Sequence, residues 1–199
     1  METADTGDIL LFRGNRATSF LTRTLTWSNY DHVAMVLKFE NDPNEVFYIE
    51  SVGKVGVTIN RWSLLRKHIG KNKFYRKCTF RHISAERDDD MMDKVDQLVK
   101  EIVGHKYGLN PFNMLRSETL DNIHDLGEDD SGEKPSVDSP LVDKNRTFFC
   151  SELVAKIFKI LGIIENDNTP CNRFFPHHFS GNSGKAIKFT EGTTIETEC

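Results

Sequence analysis

The sequence predicts an α+β fold in which a β-rich segment precedes two amphipathic helices. Short apolar and β-branched runs, separated by Gly, Pro, Asn and Asp, fill most of the first eighty residues. From Asp88 onwards the apolar residues recur at spacings of three and four, which is the helical period. A chain of 199 residues suits one domain, so we predict a single domain over residues 1–199.

The predicted strands lie close together in the sequence. A turn at residues 41–44 contains Asp-Pro-Asn, so the strands on its two sides are predicted to form an antiparallel hairpin. Each run is four to eight residues long, the usual length of a strand. The predicted strands are Asp8–Phe12, His32–Phe39, Val46–Ser51, Val57–Asn60 and Phe74–Phe80.

Helices are predicted at three places. Trp62–His68 could form a short helix between two strands. Three aspartates at 88–90 open the second helix, where acidic residues complement the helix dipole, and Gly104 ends it. The third helix begins at Cys150 and closes at Gly162, and its apolar positions fall on one face. A last strand is predicted at Ala186–Phe189.

The charge of the chain is unevenly distributed. The formal net charge is -4, which gives no overall reason to predict a nucleic-acid partner. Residues 118–144 contain nine acidic residues against Lys134 and Lys144, so this segment carries -7 and the other 172 residues carry +3. We interpret 118–144 as a flexible acidic insertion, which could act as a lid or a partner-binding arm. Elsewhere, basic residues form either a rim for an anionic substrate or a solvated face: Arg13, Arg16, Arg23 and those between 61 and 81.

The sequence also bears on compartment and cofactors. It lacks a run of about 20 apolar residues, and its acidic start differs from a secretory signal, so a cytoplasmic location is expected. A peripheral contact with a membrane surface is left open. The four cysteines have no metal-ligand spacing, and Cys78, Cys171 and Cys199 receive no role. His177 and His178 are interpreted as a loop pair on an extended segment, and we expect neither a metal nor a cofactor.

Three residues could carry nucleophilic chemistry. Cys150 opens the strongest helix, where unpaired N–H groups favour a thiolate, although a buried structural cysteine is the alternative. His32 begins a strand beside a polar loop, which suits a general base or an ordinary surface histidine. Glu50 ends the paired strand, so the hairpin could bring it to His32 and orient the ring; alone it would be an exposed acid.

Five motifs occur in order between residues 6 and 162. They are Gly7-Asp-Ile-Leu-Leu-Phe12, Tyr30-Asp-His-Val-Ala-Met-Val36, Ile49-Glu-Ser-Val-Gly-Lys-Val-Gly-Val57, Gly104-His-Lys-Tyr-Gly108 and Phe149-Cys-Ser-Glu-Leu-Val154. This ordered set resembles the circularly permuted branch of the NlpC/P60 papain-like superfamily, with its YiiX/YebB-like bacterial and poxviral members. Permutation accounts for the histidine preceding the cysteine.

The resemblance implies a papain-like fold, with an antiparallel sheet or partial barrel packed against the helix that carries the cysteine. It implies Cys150 as the nucleophile, His32 as the base and then the acid, and Glu50 as the orienting third member. Tyr107 matches a tyrosine thought to hold the substrate carbonyl or its oxyanion, and a core or rim tyrosine is an equal alternative. Asp31, directly before His32, is expected to point to the opposite face.

The predicted function is that of a thiol hydrolase, a peptidase or amidase that cleaves an amide bond through an acyl-enzyme. Its substrate would be peptide-like. One alternative is a lipid-directed acyltransferase or a thioesterase or deacylase on the same fold, with an acyl-lipid substrate. The other alternative is a catalytically idle binding module. The oligomeric state is not predicted.

Overall fold

The computed structural model describes residues 3–15, 29–52, 55–103, 149–181, 187, 189–190 and 194–197. The insertion predicted at 118–144 and the strand position Ala186 lie outside these residues. The elements of the fold are β1 Ile9–Gly14, β2 His32–Leu37, β3 Phe47–Val52, β4 Gly56–Arg61, α1 Trp62–Leu65, β5 Tyr75–Ser84, α2 Asp89–Ile102, α3 Cys150–Ile160 and β6 Thr194–Thr197.

The six strands form one antiparallel sheet in the order β4-β3-β2-β1-β5-β6. The predicted α+β class and antiparallel sheet are therefore confirmed. The hairpin is also present, with Met35 opposite Ile49. The chain then passes from β4 at one edge to β5 on the other side of β1, so neighbours in sequence are not always neighbours in the sheet.

The ends of some strands differ from the sequence predictions. β2 stops at Leu37, and β5 runs on to Ser84 because β1 and β6 pair along its length. At the end of the predicted last strand, Phe189 forms only an isolated β-bridge, with Ile164. The strand that completes the sheet is β6, which the sequence pattern did not predict.

Alternate residues of the sheet enter two apolar clusters, as the period of two along a strand requires. Ile9, Val33 and Met35 pack in the cluster that contains the buried faces of α2 and α3. Their neighbours Leu10 and Ala34 pack in a second cluster. That cluster also contains Phe12, Val36, Tyr48, Leu65 and Tyr75. Burial on both faces fixes the strand register, because a slip of one residue would exchange the two faces.

A buried carboxylate joins the start of β1 to the end of β5. Asp8 is fully buried, and its Oδ1 accepts hydrogen bonds from the Ile83 N–H at 2.9 Å and from Arg87 Nη2 at 3.0 Å. Its Oδ2 accepts from the Asp5 N–H at 2.8 Å, and His82 Nδ1 lies 3.1 Å from Oδ1. These contacts satisfy a charge that would otherwise be costly to bury.

Both long helices begin and end as their sequences predict. At α2, the Asp88 side chain accepts a hydrogen bond from the Met91 N–H at 2.8 Å and so caps the helix. At α3, Glu152 accepts from the Phe149 N–H at 3.3 Å. Gly162 follows α3 with φ +68°, the left-handed conformation in which glycine terminates helices. Among the described residues, no helix is long and apolar enough to cross a membrane.

Candidate active site

The candidate histidine lies where β2 begins beside the end of β1. The Asp31 N–H donates to the Phe12 carbonyl at 3.0 Å, and the Gly14 N–H donates to the Asp31 carboxylate at 3.0 Å. The Asp31 side chain therefore ties the loop to β1. His32 itself pairs with Phe12 in the register, and its ring centroid lies 5.6 Å from that of Phe12. The imidazole is thereby held at a defined position on the sheet.

Glu50 on β3 contacts the imidazole directly. Its Oε2 lies 2.6 Å from His32 Nε2, and both side chains are buried. The other carboxylate oxygen, Oε1, accepts from Asn60 Nδ2 at 2.9 Å, and the same Nδ2 donates to Thr58 Oγ1 at 3.0 Å. Both oxygens of Glu50 are thus engaged. The carboxylate can fix the orientation of the ring and support its positive charge.

Cys150 is the first residue of α3, and its side chain is buried. It lies close enough to His32 that its charge and hydrogen-bonding capacity raise the pKa of the imidazole. The predicted trio of Cys150, His32 and Glu50 is therefore brought together by one helix start and two adjacent strands.

The charge state of the imidazole follows from these neighbours. Burial lowers the pKa of His32, but the negative charge and hydrogen bond of Cys150, and then the contact with Glu50, outweigh it. Together they raise the pKa of His32 from 6.5 to about 10. The imidazole is therefore protonated at neutral pH, beside Cys150 and bonded to the Glu50 carboxylate.

Tyr75 on β5 forms an aromatic wall beside the imidazole. Its ring is nearly parallel to the His32 ring, with 6.3 Å between centroids, and lies 4.6 Å from the Phe12 ring. Burial, followed by the nearby charge of Glu50, raises the pKa of Tyr75 above its usual value, so its hydroxyl stays protonated. No role was predicted for Tyr75 from the sequence, although this residue lies in the predicted strand Phe74–Phe80. The predicted Tyr107 lies outside the described residues.

The remaining candidates are separate from this trio or differ from their predictions. His177 and His178 occupy a 3-10 turn at Pro176–Phe179 with ring centroids 4.0 Å apart, so the prediction of an extended segment was wrong. His178 Nδ1 accepts from the Phe175 N–H at 3.0 Å, which gives it a structural contact within the turn. Arg13 lies on β1, whereas Arg16 and Arg23 are outside the described residues.

Comparison with known proteins gives a likeness of fold. No protein-family model matches the chain, and no curated protein matches it. Among solved structures, the chain superposes on YiiX from Escherichia coli O157:H7, which is described as a metalloprotein. The match covers 98% of this chain and 97% of YiiX, with a TM-score of 0.53 and 17% sequence identity. The fold is similar to that of YiiX. At this identity the likeness concerns the fold alone.

Asn60 offers a test of the contact between Glu50 and the imidazole. Asn60→Ala is expected to slow alkylation of Cys150 about tenfold at pH 6, because a hydrogen bond to a charged group contributes about 1.5–3 kcal/mol. At pH 9 an ordinary thiol is largely ionised, so the effect should shrink. The control is Thr58→Val, which removes only a partner of Asn60. Equal slowing by both variants, or equal slowing at both pH values, would argue against an orienting role.

Proposed function

We propose that the protein is a thiol hydrolase that cleaves an amide bond, as a peptidase or amidase. The observation that carries this proposal is the buried grouping of Cys150, His32 and Glu50, in which the carboxylate bonds to the ring and the cysteine raises the pKa of the same ring. A structural cysteine has no need of a histidine held by a buried acid. The proposed roles are nucleophile for Cys150, base and acid for His32, and orienting group for Glu50.

The arrangement supports a permuted NlpC/P60, papain-like fold. The cysteine begins a helix, and that helix packs on an antiparallel sheet that carries the histidine and the acid on adjacent strands. The histidine precedes the cysteine in the chain, as the permuted order requires. The fold likeness to YiiX, a protein of the resembled group, spans nearly the whole chain and agrees with this assignment.

The proposed reaction has two halves. The Cys150 sulfur attacks the carbonyl carbon and forms a C–S bond, and the imidazolium of His32 gives its proton to the leaving nitrogen as the C–N bond breaks. Water then attacks the thioester, His32 accepts a proton from it, and the thiolate leaves with release of the acid. The N–H of Cys150 lies in the first turn of α3, where N–H groups lack helical partners, and could donate to the oxyanion. Tyr107 is proposed as a second contact for that oxygen.

The same chemistry suits a lipid-directed acyltransferase, a thioesterase or a deacylase, in which the leaving group is an alcohol or a thiol. One observation favours this second candidate. Phe74 is 45% exposed and packs edge-on against Tyr75, which in turn faces His32. An exposed apolar ring beside a catalytic centre suits an acyl chain.

A metal is not part of the proposed mechanism. YiiX is described as a metalloprotein. In the ranges that the structure describes, no group of three or more His, Cys, Asp and Glu side chains is arranged to hold a metal ion. The candidate imidazole is also bonded through Nε2 to a carboxylate. The described donors therefore supply no group of the kind that a bound metal ion requires.

A screen of amide, ester and thioester substrates tests the proposal, with Cys150→Ser as the blank. The proposal predicts turnover of at least one amide that the blank lacks, together with a mass increase at Cys150 when the acyl-enzyme is trapped. Preference for ester or thioester would favour the second candidate. Turnover that survives in Cys150→Ser but is lost on treatment with a chelator would contradict both.

A further inference from the structure

One stretch of the chain is strongly basic. Between residues 51 and 85 there are nine Lys and Arg residues and no Asp or Glu. Seven of these basic side chains are exposed, and within the described ranges six of the seven make no ion pair with an acidic side chain, whereas Arg61 pairs with Asp42. The six are Arg66, Lys67, Lys71, Lys73, Arg76 and Lys77. Unneutralised charges of one sign that lie within one short stretch of chain create a field that attracts anions.

At the centre of this surface is the basic loop, which we define as Gly70–Phe74. Asn15 fastens it to the end of β1, because its Nδ2 donates to the carbonyls of Lys71 at 2.9 Å and Lys73 at 2.8 Å. The Asn15 N–H also donates to the Phe74 carbonyl at 3.2 Å. Gly70 has φ +147°, a conformation that other residues rarely adopt. The loop is therefore held in a defined shape by its backbone, which leaves its side chains exposed.

An exposed aromatic ring stands among these charges. Phe74 ends the basic loop, and its ring lies 4.8 Å from that of Tyr75 in an edge-on contact. Tyr75 in turn faces the His32 imidazole. The exposed ring is thus separated from the candidate catalytic histidine by a single side chain. Phe74 is thus 45% exposed although a buried aromatic lies next to it.

We propose that the basic loop and the neighbouring basic residues dock the protein on an anionic membrane, with Phe74 entering the headgroup region. Basic side chains next to an exposed aromatic ring are the combination that holds proteins at lipid interfaces. A protein surface that binds nucleic acid would also be positively charged. Membrane docking also explains the exposed ring of Phe74, which would enter the boundary between the headgroups and the acyl chains. The docked surface would then lie beside the candidate active site.

Sedimentation with lipid vesicles tests this docking surface without any measurement of turnover, so it can fail or succeed independently of the hydrolase proposal. At about 0.15 M salt, the wild-type protein should bind vesicles containing phosphatidylserine at least about tenfold more tightly than vesicles of phosphatidylcholine alone. The Lys71→Glu/Lys73→Glu double variant should lose that preference. Its matched control is Lys94→Glu/Lys100→Glu, which makes the same charge change on exposed positions of α2.

The apolar part of the surface is tested separately. Phe74→Ser should weaken binding to the anionic vesicles about fivefold. Val103→Ser is the control, because Val103 has a comparable exposure of 47% at the end of α2. Wild-type binding by Lys71→Glu/Lys73→Glu, or equal binding to neutral vesicles, would overturn the proposal. So would tighter binding to a single-stranded RNA oligonucleotide than to the anionic vesicles.

Discussion

The His32→Ala variant is expected to be alkylated at Cys150 at least about 100-fold more slowly than the wild-type protein at pH 6. A thiol with an ordinary pKa near 8.5 is only about 0.3% ionised at that pH, and the thiolate is the species that reacts. In the proposed mechanism the imidazolium of the wild-type protein stabilises the thiolate. Because the pKa of His32 is raised to about 10, the imidazolium persists from pH 6 until the pH rises through about 10. Labelling of the wild-type protein should therefore change little between pH 6 and pH 9.

The chain supplies its own reference thiol for this experiment. Burial raises the pKa of Cys78 to about 12, so this side chain should stay almost unlabelled in both proteins. Mass spectrometry of the digested protein reads the two cysteines separately. If wild-type Cys150 is labelled slowly at pH 6, and at a rate that rises tenfold per pH unit, the ion pair is absent and the hydrolase proposal fails.

The second large effect concerns stability. Asp8→Ala is expected to lower the free energy of unfolding by about 3–5 kcal/mol, because it leaves buried donors without their acceptor. Those donors include the Ile83 N–H and the Arg87 guanidinium, whose side chain is only 15% exposed. Urea unfolding followed by circular dichroism gives the free energy of unfolding of each variant.

Asp90→Ala provides the comparison for this stability measurement. Asp90 also forms an ion pair, with Lys94 one turn along α2, but its side chain is 72% exposed. An exposed pair of this kind contributes about 0–1 kcal/mol. Similar losses for both variants, or a loss below about 1 kcal/mol for Asp8→Ala, would show that the buried carboxylate does not join β1 to β5 as described.

Local patterns in the chain were sufficient to place the main candidates near one another. The turn at residues 41–44 makes β2 and β3 a hairpin, and its register pairs Met35 with Ile49. Glu50 therefore falls on the same face of the sheet as His32 and two residues from the position opposite it. The hairpin and the approach of Glu50 to His32 were both predictable because they depend on contacts between neighbours in the sequence, which alternation and turn chemistry specify.

The residues that contact His32 and Glu50 from other strands could not be predicted in the same way. β5 follows β4 in the chain but pairs with β1, and this crossover brings Tyr75 to the imidazole. Asn60 lay in a predicted strand, yet the pattern did not show that its amide would donate to Glu50. Strand β6 was missed because its four residues, Thr-Ile-Glu-Thr, have too little apolar alternation to indicate a strand without β5 beside them.

The sequence by itself determined the α+β class, the hairpin that carries His32 and Glu50, and the helix that starts at Cys150. These follow from apolar periodicity, turn residues and helix ends, which act over a few residues. The tertiary structure alone decided that Cys150 and the Glu50 carboxylate lie beside one imidazole, and that Phe74 lies one ring away from it. Those contacts join residues far apart in the chain, and only the order of strands in the sheet brings such residues together.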